Sequence, residues 1–386
     1  MKPDKKPGQP KQAASSNEEA HAGQRHPPGR GRGLSKPDKH RPTYRTADGA
    51  EHPNYVDGPA SAEPYEQLWH YDMIGLSGAH AVTQGSPDVI IAVLDTGQFL
   101  HADLPHIVTG ADLISDPARA GDGGGRDSNP TEIPFPDDDH ADYHGTHIAG
   151  TIAASRNGRG TLGVAPLCRV QHIRVLGRDG ATVADICDGI RWAIGQPVAG
   201  LPVNPWASRV KVINVSLGGQ RATTTPDAGY LEAVQEAEAA GVTVVMAAGN
   251  NSMDAAYHSP SNCAASGVGI CVAAVDSHRS LARYSNFGPA VTLAAPGGDT
   301  RTSAQEGVLS TMGGDGGGGY AYLAGTSMAT PHVAGVAALL YSVKPDITPA
   351  QVKQVLTQTA TPIPDSGCGA GLVNAEAAVK AALALT

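Results

Sequence analysis

The first 60 or so residues carry no apolar period. Pro, Gly, Gln, Ser and Lys recur there without spacing, so residues 1–60 are expected to be a disordered basic leader or the remnant of a pro-segment. Past that point short apolar runs alternate with longer amphipathic ones, and residues 61–386 read as one domain. Gly78 to Gln84 reads as a short helix. Val89-Ile90-Ile91-Ala92-Val93-Leu94 is a continuous apolar run of strand length, as expected of a strand buried on both faces. Strands are expected over Val170–Leu176, Val212–Leu217, Val242–Ala248, Ile270–Val275 and Val291–Ala294, with helices over Val183–Ile194 and Ala228–Ala240. Val333 to Leu340 reads as part of a buried helix. Thr348-Pro349-Ala350-Gln351 has the form of a capping box with Pro at the first helical position, and Asn374 is placed to cap a last helix. Strands alternating with helices imply parallel pairing through right-handed crossovers. The fold expected is therefore α/β, a three-layer sandwich on a mostly parallel central sheet.

Composition narrows the class. Only 4% of residues are aromatic and 48 are Gly, so the core must be built from Ala, Val, Ile and Leu between tight turns. The net charge of −9 is uneven: residues 1–46 hold 11 Lys/Arg against 4 Asp/Glu, the remainder 17 against 33. An acidic body argues against nucleic acid as the partner. No apolar run reaches membrane-spanning length. Met1-Lys2-Pro3-Asp4 leads into a polar tract with no hydrophobic signal region. Five cysteines are too few for a disulfide scaffold; Cys263 and Cys271 flank a turn-like segment and are expected to pair, while Cys168, Cys187 and Cys368 stay unassigned.

The chemistry sits in three segments. Gly325-Thr326-Ser327-Met328-Ala329-Thr330-Pro331-His332 follows a Gly-rich loop and opens the apolar helix. Ser327 is thus expected at a helix N-terminus, where free N–H groups and the helix dipole favour negative charge. Asp95 ends the apolar strand run in Asp95-Thr96-Gly97, at the carboxyl edge where working residues of parallel sheets gather. His144 opens His144-Gly145-Thr146-His147-Ile148-Ala149-Gly150 after a loop rich in Asp, Gly and Pro. Hydrolysis of an amide by serine needs a base, an anion to orient that base, and donors for the oxyanion. Taken singly, Asp95 could be a strand-end cap, His144 a helix cap with His147 as its competitor, and Ser327 a turn residue.

Together, in the order Asp, His, Ser, these segments resemble those of the subtilisin-like serine proteases over roughly residues 65–380. The resemblance implies a serine endopeptidase acting on extended polypeptides, with Ser327 as nucleophile, His144 as base and Asp95 as its orienting anion; His147 and His332 are expected to be structural. It implies that Asn250, in Ala247-Ala248-Gly249-Asn250, donates its amide to the oxyanion beside the Ser327 N–H. Ser216-Leu217-Gly218 resembles the edge that pairs with substrate backbone. With Ala247, Ala248, Gly249 and the stretch Asn251 to Pro260, that edge is expected to wall the P1 pocket, where Asp254 is the one nearby carboxylate. Calcium is the ion the family implies, with Asp103 and Asn157 as ligands, although Arg156 and Arg159 flank Asn157. The acidic loop of Asp112, Asp122, Asp127, Asp137, Asp138 and Asp139 is a second candidate. No organic cofactor, nucleic acid or membrane partner is expected; a monomer is, and so is an extracellular location, since the family is mostly secreted. A silent peptide-binding relative and an acyl-transferring ligase or cyclase are the alternatives.

Overall fold

The computed structural model of this chain describes residues 55–56, 68–133, 143–314, 317–365 and 367–385. Twelve strands and nine α-helices occur among them. Strand β1 is Tyr55–Val56, followed by α1 (Trp69–Met73), α2 (Leu76–His80), β2 (Ile90–Asp95), β3 (Ile107–Asp112), α3 (Pro117–Ala120), α4 (His144–Ala153), β4 (Arg169–Arg174) and α5 (Val183–Ala193). Then come β5 (Val210–Val215), β6 (Gly219–Gln220), α6 (Ala228–Ala239), β7 (Thr243–Ala247), β8 (His258–Ser259), β9 (Ile270–Val275) and β10 (Leu293–Pro296). The hairpin β11 (Val308–Met312) and β12 (Gly319–Leu323) precedes α7 (Thr326–Val343), α8 (Pro349–Gln358) and α9 (Ala375–Leu383).

Seven strands form one sheet in the order β10-β9-β7-β5-β2-β4-β3, and every neighbouring pair is parallel. The order reverses between β2 and β5, so the crevice of this sheet opens where Asp95 and Ser216 leave their strands. Side chains of β2 alternate between two cores. Ile91 and Val93 pack with Ile148 of α4 and Val333 of α7; Ile90, Ala92 and Leu94 pack with Ile186 and Ile190 of α5 and Val234 of α6. All of these are fully buried, each contributing about 1.5–3 kcal/mol in its larger members. The three-layer α/β sandwich is thus observed, with the seven-stranded sheet entirely rather than mostly parallel. Helix starts follow local chemistry: Thr182 caps α5, Asp227 caps α6, Thr348 and Gln351 close the expected capping box on α8, and Asn374 caps α9.

Differences from expectation have physical causes. The strand expected at Val291–Ala294 lies at Leu293–Pro296; it is an edge strand, where Pro is tolerated. Strands β3, β11 and β12 were not expected. Tyr55 and Val56, within the stretch expected to be leader, pair antiparallel with Ala321 and Tyr320 of β12; the rest of the leader lies outside the described residues. The expected bridge between Cys263 and Cys271 is absent, since all five cysteines are free and buried. Cys263 joins the core under α5 and α6, whereas Cys271 packs with Ala248 and Ala273 in a separate cluster against Ala290 and Val291. The Cys271 thiol is hydrogen-bonded to Ser261, and burial pushes both thiols up to about 12.

Candidate active site

The end of β2 delivers Asp95, which is fully buried. Its Oδ1 accepts the Thr96 N–H at 2.8 Å and lies 2.8 Å from His144 Nδ1, at the first residue of α4. Two further bonds clamp the start of α4 to the Asp95 loop: Gly145 N–H donates to Thr96 Oγ1 at 3.0 Å, and Thr96 Oγ1 donates to Glu132 Oε2 at 2.7 Å. Glu132 Oε1 accepts the N–H of Tyr143 at 2.8 Å; Tyr143 holds φ 59, a left-handed turn that aims the chain into the helix. Glu132 is only 5% exposed. Sequence reasoning missed it, because one Glu in a polar loop carries no local signal; the Thr of Asp95-Thr96-Gly97 was the available hint that a partner for its hydroxyl existed.

Ser327 is the second residue of α7. Its Oγ donates to Ser216 O at 3.0 Å, while Ser216 Oγ donates to Ser327 O at 2.9 Å. The second bond follows from Pro331. Ser327 O would ordinarily accept the N–H four residues on, but proline has none, so that carbonyl is left for Ser216. Asn250 reaches the same helix end, its Oδ1 accepting Thr326 N–H at 2.9 Å and Thr326 Oγ1 at 2.8 Å. The amide Nδ2 is thereby turned away from Thr326. A Cβ built on Gly325 would lie 3.5 Å from Asn250 Nδ2 and 3.6 Å from Ser327 N, so two donors converge on one open point at a helix N-terminus.

The model of the Subtilase family matches residues 86–371. The chain belongs to the subtilase family. It is 42% identical over 313 residues to the "Extracellular protease" of Xanthomonas campestris pv. campestris, covering 76% of this chain and 51% of that protein. The "Extracellular basic protease" of Dichelobacter nodosus is 35% identical over 345 residues, covering 83% of this chain and 55% of that protein. This subtilase thus spans about half the length of those two relatives. "Subtilisin BL" of Lederbergia lenta is 34% identical over 314 residues, with 81% of this chain and 98% of that protein covered. Among solved structures, a protease from Pseudoalteromonas arctica superposes with a TM-score of 0.76 at 40% identity, covering 84% of this chain and 100% of that one.

The other expected positions of the subtilase separate into surface and core. Ser216 and Gly218 follow β5, but Leu217 turns its side chain into the core under α5 and α6 and Ala248 into the third cluster, so these two offer only backbone; Ala247 is buried at the end of β7. His147 Nε2 is bonded to Ala321 O at 3.0 Å, and His332 bridges Met328 O at 2.8 Å and His70 at 2.9 Å; both are buried structural groups, as expected. Among the described residues no helix is long and apolar enough to cross a membrane.

Asp103 and Asn157 meet, but not as calcium ligands. Asn157 Oδ1 accepts the Arg159 N–H at 3.0 Å, which turns Nδ2 to donate to Asp103 Oδ1; Tyr320 donates to Asp103 Oδ2 at 3.2 Å. A donor amide occupies the face a cation would need, and burial pushes the Asp103 carboxyl up to about 6. Among the described residues no cluster of three His, Cys, Asp or Glu could hold a metal. The donor set does not fit calcium there. In the acidic loop Asp112 and Asp122 already hold a cation, the buried guanidinium of Arg174, whose Nη2 also donates to Ala120 O at 2.6 Å. Asp137, Asp138 and Asp139 lie outside the described residues.

Proposed function

We propose that this subtilase is a serine endopeptidase cleaving extended polypeptides through an acyl-enzyme. The observation that carries the reading is the Asp95–His144 bond at the switch point of the sheet, beside a helix whose first turn holds Ser327 and two converging donors. With Nδ1 donating to Asp95, His144 Nε2 is the basic nitrogen. In this reaction Ser327 Oγ leaves Ser216 O for His144 Nε2, which takes its proton as Oγ attacks the scissile carbonyl. The oxyanion forms between Ser327 N–H and Asn250 Nδ2, helped by the positive end of α7. His144 returns the proton to the leaving amine, and water repeats the sequence in reverse to release the acid. Substrate backbone pairs with the edge at Ser216 and Gly218, which gives affinity with little sequence selection. Two relatives named as extracellular support a working place outside the cell; with its thiols sealed in the core, the fold asks for no oxidation to form.

A fluorophosphonate probe should label wild type at Ser327, read by mass spectrometry of the modified peptide, and should spare Ser327→Ala. Peptide hydrolysis should vanish in the same variant. Labelling elsewhere, or hydrolysis surviving in a clean Ser327→Ala preparation, would refute the assignment. Products formed with an added amine nucleophile separate hydrolysis from acyl transfer.

A further inference from the structure

His258 is 6% exposed and stands between the two segments that wall the P1 pocket if the peptidase reading holds. A Cβ built on Gly218 would lie 2.4 Å from His258 Cε1 and 3.1 Å from its Nδ1. One built on Gly249 would lie 2.5 Å from Cδ2 and 2.8 Å from Cγ. The two long edges of the imidazole therefore rest against opposite walls. Nε2, the ring atom between Cε1 and Cδ2, is the apex left facing along the gap. Only glycine at 218 and 249 admits the ring this closely, and Gly249, at φ 98, is also held in the left-handed region.

The hydrogen-bond network fixes what that apex offers. Ser261 Oγ donates to His258 O at 3.1 Å, so at 3.1 Å from the same hydroxyl oxygen His258 Nδ1 must supply the proton. Nε2 is then the unprotonated nitrogen, an acceptor with no partner among the described residues, and it is not one of the sealed polar atoms of the chain. Burial lowers the His258 pKa to about 4, so the ring is neutral at neutral pH. Asp254 does not answer a basic side chain here: its Oδ1 accepts Ala256 N–H at 2.9 Å, and its carboxyl lies against Gly288.

We infer that His258 closes the inner end of the P1 pocket and selects uncharged P1 side chains of intermediate length ending in a hydrogen-bond donor, glutamine foremost, over long aromatic ones. The inference rests on the peptidase reading and names the substrate class for that site. A pocket built around an acceptor discriminates against an isostere that cannot donate, because the acceptor is then left unpaired. Methionine is that isostere for glutamine.

The test is kcat/KM for full-length enzyme on four tetrapeptide p-nitroanilides identical except for Ala, Gln, Met or Phe at P1. Wild type should favour Gln over Met by about tenfold, and over Phe by at least about as much. In His258→Ala the Gln-to-Met ratio should fall to about one, and Phe relative to Ala should rise about tenfold or more, as the pocket deepens. Ratios within one preparation are unaffected by a partly misfolded fraction, and His258→Asn, with a shorter polar side chain, serves if the alanine variant does not fold. Wild type preferring Phe to Gln, or the same ratios in wild type and variant, would overturn the inference while leaving the peptidase reading intact. Wild type that cleaves none of the four and takes no fluorophosphonate would defeat both.

Discussion

In the proposed mechanism Asn250 does two separable jobs, and two substitutions tell them apart. Its Oδ1 accepts two bonds from Thr326, at 2.9 and 2.8 Å, while its Nδ2 faces the open point beside Ser327 N. Asn250→Ala removes both functions. The loss of two half-buried bonds at a helix start is worth roughly 1–2 kcal/mol of stability, since water can reach part of what is vacated. The loss of one oxyanion donor costs about 10²–10³ in kcat, roughly 2.7–4 kcal/mol, a magnitude measured in this very family. Asn250→Asp keeps both acceptor bonds to Thr326 but replaces the donor by a carboxylate oxygen. At about 4 Å and an effective dielectric near 20, repulsion of the oxyanion adds up to about 4 kcal/mol. The two variants should therefore cross: Ala lower in melting temperature, Asp lower in kcat, with KM changed little in either. Steady-state kinetics normalised by active-site titration, with melting curves on the Ser327→Ala background to suppress autolysis, read both axes. An Asp variant that keeps more than about a tenth of wild-type kcat, or an Ala variant that changes KM alone, would refute the donor role.

Gly325→Ala should fold normally, because φ 165 is extended backbone and its new methyl meets nothing nearer than 3.5 Å, yet that methyl would stand between the two donors; kcat should drop at least about tenfold with an unchanged melting curve, and full activity would move the oxyanion elsewhere. Arg174→Met strands the buried Asp112 carboxylate and should cost about 3–5 kcal/mol at pH 8. Because burial already pushes Asp112 up to about 6, the deficit should shrink at pH 5, and denaturant midpoints at the two pH values check this. Burial lowers His172, His258 and His332 from 6.5 to about 4, so in the folded chain they stay neutral while the unfolded chain takes up protons below pH 6.5. Stability should therefore decline progressively from pH 6.5 towards 4, by about 3 kcal/mol per histidine. Asp103 and Asp112, raised from 3.8 to about 6, act with the opposite sign below pH 6 and offset part of that loss. Stability that is flat or rising from pH 7 to 5 would show these rings to be hydrated.

What the sequence disclosed depended on whether a cause was local. The apolar run of β2 and the caps Thr348 and Asn374 are written in adjacent residues, and they were read correctly. The paired strands β11 and β12 escaped notice because two of their inward positions are polar: Ser310 and Thr311 are fully buried and donate to His147 O and Thr146 O at 2.7 and 2.8 Å. They satisfy carbonyls of α4 from a distance of more than 160 residues. Strand β3 was hidden by Thr109 and Gly110. Asp95 and His144 were legible as motifs, but Glu132, which joins Thr96 to Tyr143, acts only through tertiary contact. Residue type likewise told nothing of polarity at Asn157, whose amide is oriented by Arg159 N–H into a donor rather than a ligand. The spacing of Cys263 and Cys271 could not show that they join different hydrophobic clusters.

The exchange of hydroxyls and carbonyls between Ser216 and Ser327 has a kinetic corollary. At rest Ser327 Oγ, the nucleophile of the proposed reaction, is engaged with Ser216 O, and on that reading this carbonyl is also where a peptide N–H docks. A substrate that docks there competes for the acceptor and turns the serine loose, so filling the edge and arming the nucleophile become one event. Reagents too small to touch the edge must wait for the serine to disengage unaided. Equal in intrinsic electrophilicity, a small sulfonyl fluoride should therefore inactivate the protein more slowly than a peptidyl one by more than their difference in affinity accounts for.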